Sequence, residues 1–320
     1  MRLKHLASLL AAALLVQPVL AQNFPSKPVR IVVPFGAGGV ADLTARTVAQ
    51  KLGESLGQPV VIDNKPGAGG VVAGDAVAKA EPDGHTLLLM SNGTAVSAGL
   101  FKSLPFNTLR DFTPVSTLGF FDIAIITPVD SKFKNLGELL AFAKANPGKL
   151  NLGTINIGST QNLAGELFKT SAGADMQIVP FNGTPAVITA LRGGQIDAAV
   201  EILGPVLPQI KANALRALAV TGDKRAAVLP DVPTAKESGL PTFVASSWNA
   251  LAAPSKTPKE VIARLNKEIT AAVNSPEVKK KLADLNVEAR ASSPEQAAEL
   301  LASETKRWGE VITRAKIPMQ

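Results

Sequence analysis

The sequence predicts an α/β fold in two domains joined by hinge segments, and three observations carry that prediction. Strand-like β-branched runs alternate with helical ones over most of the 320 residues, the alternation comes in two series, and the chain crosses from one series to the other and back. The length agrees, since some 300 residues behind a short leader suffice for two domains at ~100–200 residues each. Two crossings make a hinge and leave a cleft whose walls can close.

The first residues have the pattern of a secretory signal: basic Arg2 and Lys4, an apolar run over 6–16, then Val19-Leu20-Ala21 as a small-residue cleavage site. Residues 1–21 are expected to be removed, with the mature chain beginning at Gln22 in the periplasm. No later stretch approaches the ~20 continuous apolar residues of a spanning helix. Cysteine is absent, which excludes a disulfide framework, thiolate catalysis and cysteine metal sites. Loss of Arg2 and Lys4 leaves 31 basic against 26 acidic residues, a net charge of +5. That mild excess is scattered, its longest run is Lys279-Lys280-Lys281, and there is no tyrosine for base stacking. No nucleic-acid partner is expected. The field is suited to attracting small anions, and the lysine triplet reads as a solvated helix face.

The first series opens with the strand Val29–Val33 and the loop Pro34-Phe35-Gly36-Ala37-Gly38-Gly39-Val40-Ala41-Asp42. Behind it Asp42, Ala45, Val48, Ala49, Leu52 and Leu56 mark a helix with one apolar face. The first N–H groups of a helix lack intrahelical acceptors and carry the positive dipole end, and Cβ-free residues let a ligand approach the backbone. Phe35, Ala37, Gly38, Gly39, Val40 and Asp42 therefore read as a cradle for a carboxylate or phosphate; a tight turn without ligand is the plain alternative. A strand at Val60-Val61-Ile62 leads to a second Gly-rich loop, Asn64-Lys65-Pro66-Gly67-Ala68-Gly69-Gly70, expected to shape the cleft rim or support the first loop. A helix over 71–79 and the strand Thr86–Met90 follow. Asn92 and Thr94, in Ser91-Asn92-Gly93-Thr94, then stand at the carboxyl edge of the sheet, where open α/β folds bind ligands.

The second series runs through a strand over 123–126, the helix Leu136–Ala145, a strand over 150–154, a helix after Ser159, a strand over 176–179, a helix over 185–191, a strand over 196–200 and the strand Leu215–Val220. Ser159 or Thr160 reads as an N-cap above the stripe Leu163, Ala164, Leu167 and Phe168, with Gly158 before it. This start is a candidate opposing wall, and plain capping is the alternative. Gly183-Thr184-Pro185 is a weaker third start, because Pro at the first helical position is ordinary. Hinges fall near 120–125 and 220–225, so the first domain takes residues 22–123 and 225–320 and the second 124–224. The last third carries three helix starts, Thr257-Pro258-Lys259-Glu260, Ser275-Pro276-Glu277 and Ser293-Pro294-Glu295-Gln296.

Catalysis is poorly supported. His85 is the only histidine behind the leader, and no H-E-x-x-H or G-x-S-x-G occurs. The chain is expected to be no enzyme and to need no metal or cofactor. The rival is a dinucleotide-binding oxidoreductase: Gly36-Ala37-Gly38-Gly39-Val40-Ala41 satisfies G-x-G-x-x-A, and Asp63 ends the next strand. Asp63 stands 27 positions after Gly36, beyond the usual ~20, and export argues against a nicotinamide cofactor.

The 34–42 loop, Pro66-Gly67-Ala68-Gly69-Gly70, Pro82-Asp83-Gly84, Gly158-Ser159, Leu163-Ala164-Gly165-Glu166-Leu167-Phe168, Leu215-Arg216-Ala217-Leu218-Ala219-Val220 and Leu229-Pro230-Asp231-Val232-Pro233-Thr234 occur in register along the whole mature chain. In this the sequence resembles the Bug-type solute receptors of tripartite tricarboxylate transporters. The resemblance implies a type II-like periplasmic binding protein, two α/β domains joined by hinge strands, binding a small carboxylate without a basic side chain. It implies that the 34–42 loop holds one carboxylate through backbone N–H groups and water, and that Ser159 and Thr160 meet it from the other domain. Membrane transporter subunits, or a sensor kinase, would be the partners of a monomeric receptor. Two further positions follow from the family pattern: Phe181-Asn182 replaces an aromatic-basic pair, and Glu201 replaces a common Asp. Val71 and Asn162 also depart from it, in place of Asn and His. A less polar distal pocket is expected near Phe181, open to an aromatic or short monocarboxylate as well as to citrate-like ligands. Arg46 is expected to pair with Asp42 at i, i+4 and not to touch ligand.

Overall fold

Hydrophobic periodicity sets the elements, and the computed structural model, which describes residues 24–314 and 317–319, assembles them around one long strand. The expected leader and its cleavage site lie outside the described residues. In chain order the first elements are β1 (Val29–Val33), α1 (Val40–Leu56), β2 (Val60–Asn64), α2 (Val71–Ala78), β3 (Thr86–Met90), α3 (Asn92–Leu100) and β4 (Phe112–Pro128). The middle carries α4 (Leu136–Ala145), β5 (Asn151–Ile155), α5 (Thr160–Ala172), β6 (Gln177–Phe181), α6 (Thr184–Arg192), β7 (Ala198–Ile202), α7 (Leu203–Lys211) and β8 (Leu215–Val220). The chain ends with β9 (Ser246–Pro254), α8 (Lys259–Asn274), α9 (Pro276–Asp284), β10 (Val287–Ala289) and α10 (Pro294–Arg314).

There are two α/β halves, each with a mixed sheet. In the first, β1 lies between β2 and β3 in parallel, and β9 joins β3 to β4 in antiparallel pairing. In the second, β5 lies between β6 and β7 in parallel, with β7 and β8 antiparallel to β4. The strand β4 belongs to both. Its residues from Phe112 to Asp122 pair with β9, and those from Ile123 onward pair with β7 and β8. The chain thus passes between halves inside one extended segment, with Phe121, Ile123, Ala124 and Ile125 all buried.

Both halves place a central parallel strand with neighbours on either side, so the carboxyl ends of β1 and β5 are topological switch points, where loops diverge and leave a crevice. The loop after β1 enters α1 and the loop after β5 enters α5, and these two entrances face the same cavity.

Four elements depart from the sequence reading. The 92–100 segment is a helix because Ser91 and Thr94 form a reciprocal capping box, which overrides the turn signal of Asn92-Gly93. The helix α7 forms despite Pro208 in its interior. The Ala-rich β9 has weak strand propensity, yet it is held between β3 and β4 and buried almost throughout, a tertiary override. The three-residue β10 pairs with β4 at 119–121. Of the three expected caps, Ser275 accepts from Val278 N–H (3.3 Å), and Ser293 and Gln296 bond reciprocally (3.2 and 3.0 Å). Thr257 does not cap: Pro258 takes the N-cap position and Thr257 Oγ1 has no partner.

Candidate functional site

The helix α1 begins at Val40, two residues before Asp42, behind an N-cap, Gly39, that has no side chain to offer. The N–H groups of Val40 and Ala41 therefore have no acceptor within the helix or from a cap. Both residues line a cavity of about 20 Å³ between the two halves. Opposite them stands the start of α5. Ser159 is its N-cap and satisfies Asn162 N–H (3.1 Å), which leaves the N–H groups of Thr160 and Gln161 unclaimed, and both residues line the same cavity. A third start, α6, has Gly183 as an uncapped N-cap and presents Thr184 there. Ser91 at the head of α3 completes the ring, with Ser247 and Asn249 from β9. No lysine or arginine lines the cavity. Positive potential comes from convergent helix dipoles and free backbone N–H groups.

The 34–42 loop carries its own anion. Asp42, 2% exposed, accepts from Gly38 N–H, Arg46 Nε and Asn64 Nδ2, each at 3.0 Å. Burial raises the Asp42 carboxyl pKa, and the Arg46, Gly38 and Asn64 hydrogen bonds outweigh it, so the net shift is downward. Gly38 has φ +83°, a conformation that favours glycine, and its N–H is turned back onto Asp42. Asn64 also donates to Phe35 O at 3.0 Å and so ties the second Gly-rich loop to the first. Asp63, the acid a dinucleotide site would use, pairs with Arg30 (3.4 Å) and Lys65 (3.5 Å).

Of the candidates read from the sequence, Phe35, Gly39, Val40 and Thr160 line the cavity. Ala37, Gly38, Asp42, Asn92, Thr94, Ser159, Phe181 and Glu201 are not part of its lining. Ser159 has its hydroxyl committed to Asn162 N–H and to Ile155 O (3.3 Å). Thr94 Oγ1 accepts from Ser91 N–H (3.2 Å), and Asn92 Nδ2 donates to Ser246 O (2.8 Å), so these two hold α3 in place. Gly38 faces an outer groove with Thr184 and Pro185. Phe181 lines a separate pocket of about 340 Å³ with Phe101, Asn156, Ile157 and Asn182. The hydroxyl of Thr160 meets Ser247 Oγ at 3.0 Å. Glu201 lies behind the lining, fully buried, with Oε2 accepting from Thr184 Oγ1 (3.0 Å) and Gln161 Nε2 (3.3 Å).

Sequence reasoning missed Gln161, Ser247 and Asn249. Gln161 follows two noticed residues. Ser247 and Asn249 carry no local signal, since they reach the site through long-range strand pairing. Thr184 was visible as a helix start and ranked below the other two.

A family model described as "Tripartite tricarboxylate transporter family receptor" matches residues 44–317. This chain belongs to that receptor family. Protein BugT of Bordetella pertussis is 38% identical over 312 residues, covering 96% of each chain. The solved structure of the periplasmic binding protein BugD superposes with a TM-score of 0.89 at 32% identity, covering 93% of this chain and 100% of that one. A second structure, R. palustris Rpa4515 with adipate, also gives a TM-score of 0.89 at 32% identity, over 92% and 99% of the two chains. The receptor is thus a solute-binding protein of two α/β domains, as the sequence motifs imply.

Proposed function

We propose that this receptor works in the periplasm, where it captures a small carboxylate in the cleft between the α1 and α5 starts and delivers it as a monomer to the membrane subunits of a tripartite tricarboxylate-type transporter. The observation that carries the reading is the convergence of the α1, α5 and α6 entrances on one cavity without a basic side chain. Backbone N–H groups at helix starts suit a carboxylate. The adipate held by a relative of the same fold supports that ligand class, and the secretory pattern of residues 1–21 supports export.

The ligand contacts we assign are the N–H groups of Val40, Ala41, Thr160, Gln161 and Thr184, with Phe35 and Gly39 as walls. A cavity of about 20 Å³ holds about one water. Capture therefore requires the halves to part and reclose, and the change of pairing partner at Asp122/Ile123 in β4 is the place for the first hinge. With the second crossing taken at 224/225, the domains proposed are 22–123 with 225–320, and 124–224.

A melting screen against mono-, di- and tricarboxylates, with NAD as a control, tests the reading. Ligand at ~100 times its dissociation constant adds about 2.7 kcal/mol, or some 5 °C and more at roughly 2–4 °C per kcal/mol. A shift with NAD and none with any carboxylate would overturn it.

A further inference from the structure

A carboxyl group stands behind the anion cavity with no cation to balance it. Glu201, on β7 opposite Ala124 of β4, is fully buried. Its Oε2 takes both hydrogen bonds on offer, from Thr184 Oγ1 and Gln161 Nε2, and its Oε1 is buried with no partner. Thr184, Gln161 and the adjacent Ile202 all line the cavity, so one layer of side chains separates this carboxyl from whatever anion the helix starts hold. A carboxylate buried with one oxygen unpaired is costly, whereas a neutral acid in the same place needs no counter-charge.

We infer that Glu201 holds a proton when the cleft is loaded, so that the receptor takes up its carboxylate together with one proton. The inference rests on the carboxylate reading of the cleft. A carboxylate in the cavity and Glu201 behind its lining, without a cation between them, disfavour joint ionisation. Burial pushes the free Glu201 carboxyl up to about 7, against the smaller opposing effect of the Gln161 and Thr184 hydrogen bonds and of the neighbouring Ile202 N–H. A bound anion pushes it further in the same direction.

The charged groups on the packed elements leave this balance unchanged. They are Asp122 on β4, bonded to Asn286, Glu166 and Lys169 on α5, Arg192 on α6 and Lys211 on α7; β5 carries none. Across the cleft, Asp42 is matched by Arg46. None of these exerts a charge effect on Glu201.

Calorimetric titration of the full mature receptor with adipate, malate and benzoate, at pH 6, 8 and 9 and in buffers of differing ionisation enthalpy, tests the inference. Wild type should take up close to one proton per ligand at pH 8 and 9, and its affinity should fall tenfold or more from pH 6 to pH 9. Glu201→Gln keeps a neutral group of the same shape and should bind with no proton uptake and an affinity flat across that range. Binding by wild type without proton uptake at pH 8 and with a flat profile overturns the inference and leaves the receptor reading standing. If none of the three acids binds, the same titration is run with the acids that shift the melting temperature in the carboxylate screen, and only failure of every acid there removes the reading itself, and the inference with it. Proton counting on wild type needs no variant, so a poorly folding Glu201→Gln does not obscure the result.

Discussion

Gly36, in the loop after β1, packs on Asn182, just past β6, so closely that a Cβ on the glycine would stand 2.8 Å from the Asn182 carbonyl oxygen. The two residues lie on opposite walls of the cleft. The φ of Gly36 is not in the left-handed region, so its own backbone does not require glycine. Gly36→Ala should therefore leave the fold intact and prop the walls apart by blocking the last fraction of closure. We expect at least tenfold weaker carboxylate binding with an unchanged melting temperature for the free protein. A ligand-loaded radius of gyration equal to that of wild type by small-angle scattering would show that the contact does not limit closure.

Ser159 and Thr160 should separate in experiment, although the sequence presents them as a pair. Ser159→Ala deletes an N-cap, which costs about 0.5–2 kcal/mol of stability, and should lower the melting temperature with little change in affinity. Thr160→Ala removes the 3.0 Å link to Ser247 in the cavity wall, and should weaken binding with little change in stability. Parallel melting and titration of both variants check this; a large affinity loss in Ser159→Ala would restore its hydroxyl to the ligand.

Asp42 organises the first loop. Asp42→Ala removes the acceptor of Gly38 N–H, Arg46 Nε and Asn64 Nδ2; the first two are exposed and can turn to water, so the expected cost is about 0.5–1.5 kcal/mol, that of a typical net hydrogen bond. The carboxyl pKa is lowered on folding, so its stabilisation is present above the ordinary value of 3.8 and is lost as pH falls through the lowered folded value. Urea unfolding from pH 3 to 7 should show wild type losing its advantage over Asp42→Ala at the acid end. Arg46→Ala leaves the Gly38 and Asn64 hydrogen bonds to Asp42 in place and should change affinity by less than about threefold, a fraction of one charged hydrogen bond.

For Glu201 the sign is opposite. The folded group, pushed up to about 7, keeps its proton where the unfolded chain, at 4.5, has released it. Its contribution is full below about pH 4.5 and falls as pH rises through 7, by roughly 3 kcal/mol for a shift of this size. Wild type should lose stability relative to Glu201→Gln over that range in ligand-free unfolding experiments. Parallel curves would mean that Glu201 is ionised when folded.

Much of this architecture was determined by the sequence alone. β-branched runs bounded by glycine and helical stripes such as Ala45, Val48, Ala49 and Leu52 carry local signals strong enough to place most elements, and the 34–42 loop announces a helix start after a strand. Two of the three principal walls, at Val40 and Thr160, were legible for that reason. The tertiary structure alone decided which donors remain free. Gly38 N–H and the Ser159 hydroxyl look available in sequence, but Asp42 and Asn162 claim them, because a nearby partner satisfies a polar group before a ligand can. It also decided that the Ala-rich β9, weak in strand propensity, would become a central strand bringing Ser247 and Asn249 to the cavity, and that Glu201 would lie sealed behind it. The β9 placement depends on pairing between segments more than a hundred residues apart, and that of Glu201 on its pairing with Ala124 in β4, so no local pattern stands in for either.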